Sequence, residues 1–328
     1  MPFAIGFNEE IEVLIMDTKI VRAMLLGLAV GDALGVPVEF MYREELKERP
    51  VTGMLAFGTW RQPAGTWSDD TSMTVATMES LSRRKCVDFG DIAENFLSWY
   101  ANDEFTATGK RFDIGNTTRA SVVRYSRKLL PPTKCGASDE NSNGNGSLMR
   151  ILPAILYLFG TRGKIAADEL KVIHDFSALT HAHAISKISC GIYALITAQI
   201  LSGKNVADAF TAGIADAKTF YGDDTDFQHF ARLTKDNFAA LDEDAISSSG
   251  YVVDTLEAAL WCLLNTDDFR SLALKAVNLG GDTDTVGAIA GGLGGLVYSV
   301  ESIPAEWLET LKRREWLEKI ADDFAQVC

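Results

Sequence analysis

Positive charge is what this sequence is short of. Its 328 residues carry 31 Lys and Arg against 45 Asp and Glu, a formal net charge of −14. A field of that sign argues against general affinity for nucleic acid or an anionic membrane. It leaves a phosphate-bearing ligand open, because local amides or metal ions can offset it. Cysteine is also sparse and unpatterned. Cys86, Cys135, Cys190, Cys262 and Cys328 are odd in number, with no metal-type spacing, which predicts reduced thiols in a cytoplasmic protein. Only four histidines occur, and the His181-x-His183 pair has no Cys or third His nearby, so a zinc set is poorly supported. The opening segment, Met1 to Lys19, has acids where a secretory leader needs positive charge, and Glu12 breaks its apolar stretch, Ile11 to Met16. We therefore expect no signal peptide and no membrane span. Strand signals are few, no β-α alternation recurs and no internal repeat appears, so a doubly wound sheet is not expected.

What the sequence does hold is helix periodicity. Ile20 to Gly31 repeats apolar residues at Val21, Met24, Leu25, Leu28 and Ala29, which predicts a buried helix face. The same reading predicts helices over Thr71–Leu81, Asp91–Tyr100, Ser147–Leu158, Ala184–Leu201, Val253–Leu264, Asp268–Asn278 and Val286–Val300. Pro153 should kink or restart the fourth of these. Ser202-Gly203 is a C-cap signal, and Val286–Val300 is apolar nearly all round, so it should lie deep in the core. No polar linker divides the chain. The expected fold class is all-α, a compact orthogonal multi-helix bundle forming one domain over 1–328, with 1–18 as a candidate N-terminal extension.

Two acidic clusters interrupt the helices: Thr66-Trp67-Ser68-Asp69-Asp70-Thr71 and Gly280-Gly281-Asp282-Thr283-Asp284-Thr285. Crowded carboxylates repel unless a cation neutralises them, and a hard divalent ion suits an all-oxygen donor set. Asp69, Asp70, Asp282 and Asp284 supply four anionic ligands, and Ser68 and Thr285 supply neutral oxygens. Four carboxylates balance roughly two divalent ions, the arrangement of a binuclear centre. Taken alone, Ser68–Thr71 also reads as helix N-capping. The second cluster weighs against that, because unpaired carboxylates opening an apolar helix are costly. Gly222-Asp223-Asp224-Thr225-Asp226 and Thr266-Asp267-Asp268 are decoys of similar composition; the first, in polar surroundings, reads as a solvated loop or cap, and the second as an ordinary N-cap.

An ordered set of motifs accompanies the clusters. It comprises Gly31-Asp32-Ala33-Leu34-Gly35 with Pro37-Val38-Glu39-Phe40, Trp67 to Thr71, Phe112 to Thr118, Asn145 to Arg150, Thr180-His181, and Gly281 to Gly287. Together these resemble the ADP-ribosylglycohydrolase family over about residues 21 to 300. The resemblance implies an all-α fold with two Mg²⁺ (or Mn²⁺) in a cleft. Ser68, Asp69, Asp70, Asp282, Asp284 and Thr285 fall on its metal-ligand positions. It implies hydrolysis of the glycosidic bond between ADP-ribose and an acceptor, with the arginine guanidinium preferred. Serine, nucleic-acid and small-molecule conjugates are the alternative acceptors, and a catalytically silent ADP-ribose binder or a hydrolase of the diphosphate are rival readings. The expected partner is an ADP-ribosylated protein or a small ADP-ribose conjugate.

Catalytic roles fall on Glu39 and Asp113. Either could move the proton at the anomeric centre, and the residues leave that division open. For substrate binding, Gly109, Gly115 and Gly146 offer close backbone approach, and Asn145-Gly146-Ser147 opens a predicted helix, where amides receive phosphate. The resemblance adds His181 as a pocket residue, leaves His183 undecided, and puts Tyr251 where relatives offer an aromatic to adenine.

Overall fold

Apolar periodicity becomes helix nearly everywhere it occurs. The computed structural model describes residues 16–328. The apolar stretch at Ile11 to Met16 and the candidate extension over 1–18 therefore lie almost wholly outside the described residues. Fourteen α-helices follow in order. They are α1 (Thr18–Gly35), α2 (Arg43–Glu48), α3 (Asp69–Arg84), α4 (Phe89–Asn102), α5 (Asn116–Ser126), α6 (Leu152–Arg162) and α7 (Ala167–Ala178). The rest are α8 (Ala184–Leu201), α9 (Val206–Tyr221), α10 (Val252–Leu264), α11 (Phe269–Asn278), α12 (Thr283–Tyr298), α13 (Ala305–Thr310) and α14 (Arg314–Ala325). Among the described residues there is no strand, only isolated bridges at Ala137–His181 and Gly144–Tyr251. The class is all-α, as the sequence predicts.

Local chemistry sets the helix ends. Ser68 caps α3 and Asp268 caps α11 by accepting from nearby backbone N–H groups. Asp224 does the same for a short 3₁₀ turn, so both decoy clusters act as caps. Pro153 restarts the chain: a three-residue 3₁₀ turn, Leu148–Arg150, precedes α6 instead of one continuous helix from Ser147. At the end of α8, Ser202 is the C-cap, and Gly203 follows with a φ of 87°.

The main core is a continuous apolar cluster reaching from Met16 to Cys328, with a small satellite of Ala93, Tyr125 and Cys135. At its centre α1 lies against α12. A Cβ on Gly27 would sit 2.3 Å from Gly291 O, one on Gly31 1.9 Å from Gly287 O, and one on Gly295 1.9 Å from Ala23 O. No side chain fits there, so the backbones touch, and the pairing order makes the two helices antiparallel. The segments Thr18–Val38 and Ala184–Leu201 have the length and hydropathy of a membrane span, but 89% and 78% of their apolar windows are buried inside the protein. They are core helices.

Candidate active site and metal centre

The last turn of α1 organises both acidic clusters. Asp32 is fully buried, and its carboxylate accepts from Ser68 N at 2.9 Å, Thr71 N at 3.1 Å and Thr71 Oγ1 at 2.6 Å. It thereby holds the start of α3, with Asp69 and Asp70 in its first turn. Thr283 Oγ1 donates to Gly35 O at 2.8 Å, and a Cβ on Gly35 would lie 2.3 Å from Asp284 N. The start of α12 is thus pressed onto the end of α1. The two clusters meet: Asp70 Oδ2 accepts from Ser68 Oγ at 3.0 Å and Thr285 Oγ1 at 3.4 Å.

Glu39 reaches the same place from a strap after a 3₁₀ turn at Val36–Val38. Phe40, with a φ of 68°, adopts the left-handed region that non-glycine residues avoid. Phe40 N donates to Gly281 O at 2.7 Å and Gly281 N donates to Met41 O at 2.9 Å, which ties the strap to the second cluster. Trp60 Nε1–H donates to Glu39 Oε2. Asp113 is half-buried. Glu39, Asp113 and Asp284 each offer an oxygen within 4.8 Å of the others.

A cavity of about 360 Å³ opens over these groups. Its acidic wall presents Glu39, Asp69, Asp113, Asp282 and Thr285. The rest of its lining includes Gly115 to Thr118, Gly144 to Gly146 and His181. No Lys or Arg lines it. The N-terminus of α5 has no side-chain cap, so its first amides remain free as donors. Asn145 ties this lining to the second acidic cluster, with Nδ2 donating to Asp282 Oδ2 at 2.9 Å and to Thr255 Oγ1 at 3.0 Å.

Charge without partners dominates the electrostatics. Burial raises the Asp69, Asp70 and Asp284 carboxyls well above the usual range, and neighbouring acids add to it. Glu39 is pushed to about 9, by burial first and by Asp113 second, against the Trp60 hydrogen bond. Asp113 rises to about 6 and Asp32 to about 7, each chiefly through burial. Three buried carboxylate oxygens, Asp70 Oδ1, Asp282 Oδ1 and Asp284 Oδ2, have no hydrogen-bond partner. Unpartnered buried carboxylate oxygens beside the Glu39–Asp113–Asp284 cluster are what a hard cation would satisfy, so the residues fit a divalent metal.

The sequence-derived candidates separate here. Ser68, Asp69, Asp70, Asp282, Asp284, Thr285, Glu39 and Asp113 come together, and Gly115, Asn145, Gly146 and His181 line the same cavity. Three others lie apart from the lining. Gly109 has a φ of 78° on an exposed turn, with nothing within 4 Å of a Cβ placed there. The Ser147 hydroxyl is turned into the core, 3.6 Å from Cys190 Sγ and 3.0 Å from Ser177 Oγ. Tyr251 opens α10, and its hydroxyl lies 3.5 Å from His229 Nδ1. His183 caps α8, its Nδ1 accepting from Ile185 N at 3.2 Å. The sequence reading assigned no role to Asp32, Trp60, Phe40 or Thr118, which hold or line the site. Asp32, Phe40 and Thr118 stand within the motifs that carry the family resemblance, but nothing local to them marks their roles.

Residues 17–328 match the family model for ADP-ribosylglycohydrolase, and the chain belongs to that family of enzymes. Two relatives make the position more particular. ADP-ribosylarginine hydrolase Tri1 of Serratia proteamaculans is 31% identical over 303 residues, covering 92% of this chain and 78% of its own. ADP-ribosyl-dinitrogen reductase glycohydrolase of Rhodospirillum rubrum is 35% identical over 292 residues, covering 87% and 88%. Among solved structures, a chain of an ADP-ribosylglycohydrolase-related protein complex superposes with a TM-score of 0.78 at 31% identity, covering 94% of this chain and 98% of its own.

Proposed function

We propose that this protein hydrolyses the N-glycosidic bond between ADP-ribose and the guanidinium of an arginine side chain, reversing ADP-ribosylation of a protein. The names of the two relatives support the arginine linkage. The observation that carries the reading is a single cavity lined both by the clustered carboxylates and by the uncapped N-terminus of α5. A pair of Mg²⁺ or Mn²⁺ ions held by Asp69, Asp70, Asp282 and Asp284, beside the Ser68 and Thr285 hydroxyls, would supply positive charge and acidify water at neutral pH. The uncapped amides at the start of α5 and those of Gly144 and Gly146 receive the diphosphate without a cation. That orientation directs the distal ribose toward the acidic wall. Glu39, held by Trp60 Nε1–H, and Asp113 beside it are the two carboxyls placed to give a proton to the departing group and to take one from attacking water. Cleavage then proceeds through an oxocarbenium-like transition state, as in other glycoside hydrolyses.

A panel of arginine-, serine- and nucleotide-linked ADP-ribose conjugates, assayed with and without Mg²⁺, tests this. Metal-dependent release of intact ADP-ribose from the arginine conjugate is expected. Turnover confined to another linkage would refute the acceptor, and AMP as product would mean diphosphate cleavage. The five cysteines, all free and four of them buried, support a cytoplasmic location.

A further inference from the structure

Arg150 is fully buried, and Nε and Nη1 of its guanidinium have no hydrogen-bond partner. The group lies over the Phe96 ring, 4.7 Å from its centroid. Nη2 donates to Phe176 O at 3.3 Å and to Thr180 Oγ1 at 2.7 Å. Thr180 Oγ1 is also 2.8 Å from His181 Nδ1. Thr180 is itself fully buried, and His181 lines the reaction cavity, with Cε1 and Nε2 as the edge facing Gly144 and Gly146.

Donor counting decides the protons. A guanidinium can only donate, so Thr180 Oγ1 accepts from Arg150. The hydroxyl hydrogen then needs an acceptor, and Nδ1 of His181 lies within reach. In the reverse arrangement Nδ1–H would donate to Oγ1 and leave the hydroxyl hydrogen unpaired in a sealed interior. That loss disfavours the reverse by about tenfold.

We propose that Arg150 and Thr180 are positioning residues that lock His181 as its Nε2–H tautomer, making it a neutral hydrogen-bond donor to an anionic oxygen of the bound diphosphate. The ligand in this statement rests on the function proposed above. The imidazole stays neutral, its value pushed down to about 3 by burial and then by the Arg150 charge. The placement has a physical logic. A cation inside the cavity would pair with Glu39 or Asp282 in preference to a ligand. Set one layer back, the guanidinium polarises Thr180 and His181 in series and sharpens the donor.

The chain's four histidines make ¹⁵N-imidazole NMR of the whole protein tractable. The ligand-free protein should show His181 with Nδ1 unprotonated and Nε2 protonated, unchanged between pH 5 and 8. Thr180→Ser should keep that pattern. Thr180→Val, checked for an unchanged fold by circular dichroism, should lose it and bind ADP-ribose about tenfold more weakly in calorimetry. A wild-type Nδ1–H signal, or an unaltered tautomer in Thr180→Val, overturns the relay. A locked tautomer with unimpaired ADP-ribose binding by Thr180→Val overturns the donor role. A wild-type protein with the expected tautomer that fails to bind ADP-ribose would sink the proposed function and leave the relay standing.

Discussion

Removing divalent metal should reverse the usual effect of mild acid on this protein's stability. Asp32 has a native value of about 7 and Glu39 of about 9, against ordinary values of 3.8 and 4.5. Both are raised, so the native state holds protons that the unfolded chain has released. The associated stability is fully present below pH 4 and is lost as pH rises toward the native values. Between pH 5 and 6.5 these two groups alone give nearly two extra native protons, and each is worth about 1.4 kcal/mol per pH unit. Asp69, Asp70, Asp113 and Asp284 are raised as well and add to this, so the slope is at least about 2 kcal/mol per unit. A chain of this size has an unfolding entropy of about 0.7 kcal/mol per degree, so the melting temperature should fall by at least about 3 °C per pH unit in EDTA. Scanning calorimetry measures it directly. Mn²⁺ should flatten or invert the slope, because ligands must ionise to bind. Glu39→Gln should reduce the EDTA slope by about one proton's worth, roughly 1 kcal/mol per pH unit, which separates the site from relief of the overall −14 charge. A melting temperature that rises with pH in EDTA, or an unchanged slope in Glu39→Gln, would refute the account.

Other outcomes follow from the same contacts. Asp69→Ala or Asp284→Ala should weaken Mn²⁺ binding by on the order of 100-fold in titration calorimetry and remove most turnover. Full binding by both would reject a shared centre. Trp60→Phe deletes the hydrogen bond to Glu39, and kcat should fall about tenfold with the melting temperature nearly unchanged. Gly31→Ala drives a methyl into Gly287 O and should cost about 3 kcal/mol in urea denaturation. Gly109→Ala, with open space but a left-handed backbone, should cost only about 1 kcal/mol.

Helices were legible where burial made the sequence apolar with a regular period. Ala184–Leu201 is read to the residue, and the beginnings and ends of α10 and α11 to within one. The helices the reading omits, α2, α5, α7, α9, α13 and α14, keep much of their surface in water. Their apolar positions are spaced among Lys, Asp, Glu and Thr, which weakens any periodic signal. At the site, the clustered acids announced themselves by crowding. Asp32 did not, because its partners lie 36 and 39 residues away. Ser147 shows the converse: its local pattern suggested a helix opening onto a ligand, but packing against Ser177 and Cys190 turned the hydroxyl inward. Arg150 carries no sign of its burial in the sequence, since arginine is among the residues least often buried.

The metal-type centre and the tightest helix contact share one cause. Asp32 and Gly35 are three residues apart, so they sit on neighbouring faces of the same turn of α1. Asp32 fixes the first turn of α3 through Ser68 and Thr71, and Gly35 fixes the first turn of α12 through Thr283 and Asp284. Two clusters more than 200 residues apart are thereby indexed to a single rigid turn. Any residue larger than glycine at Gly31 or Gly35 would push α12 outward. Asp282 and Asp284 would move relative to Asp69 and Asp70 before the core came apart. Repulsion among those carboxylates favours that same separation, and the glycine contact, in the most buried part of the fold, resists it.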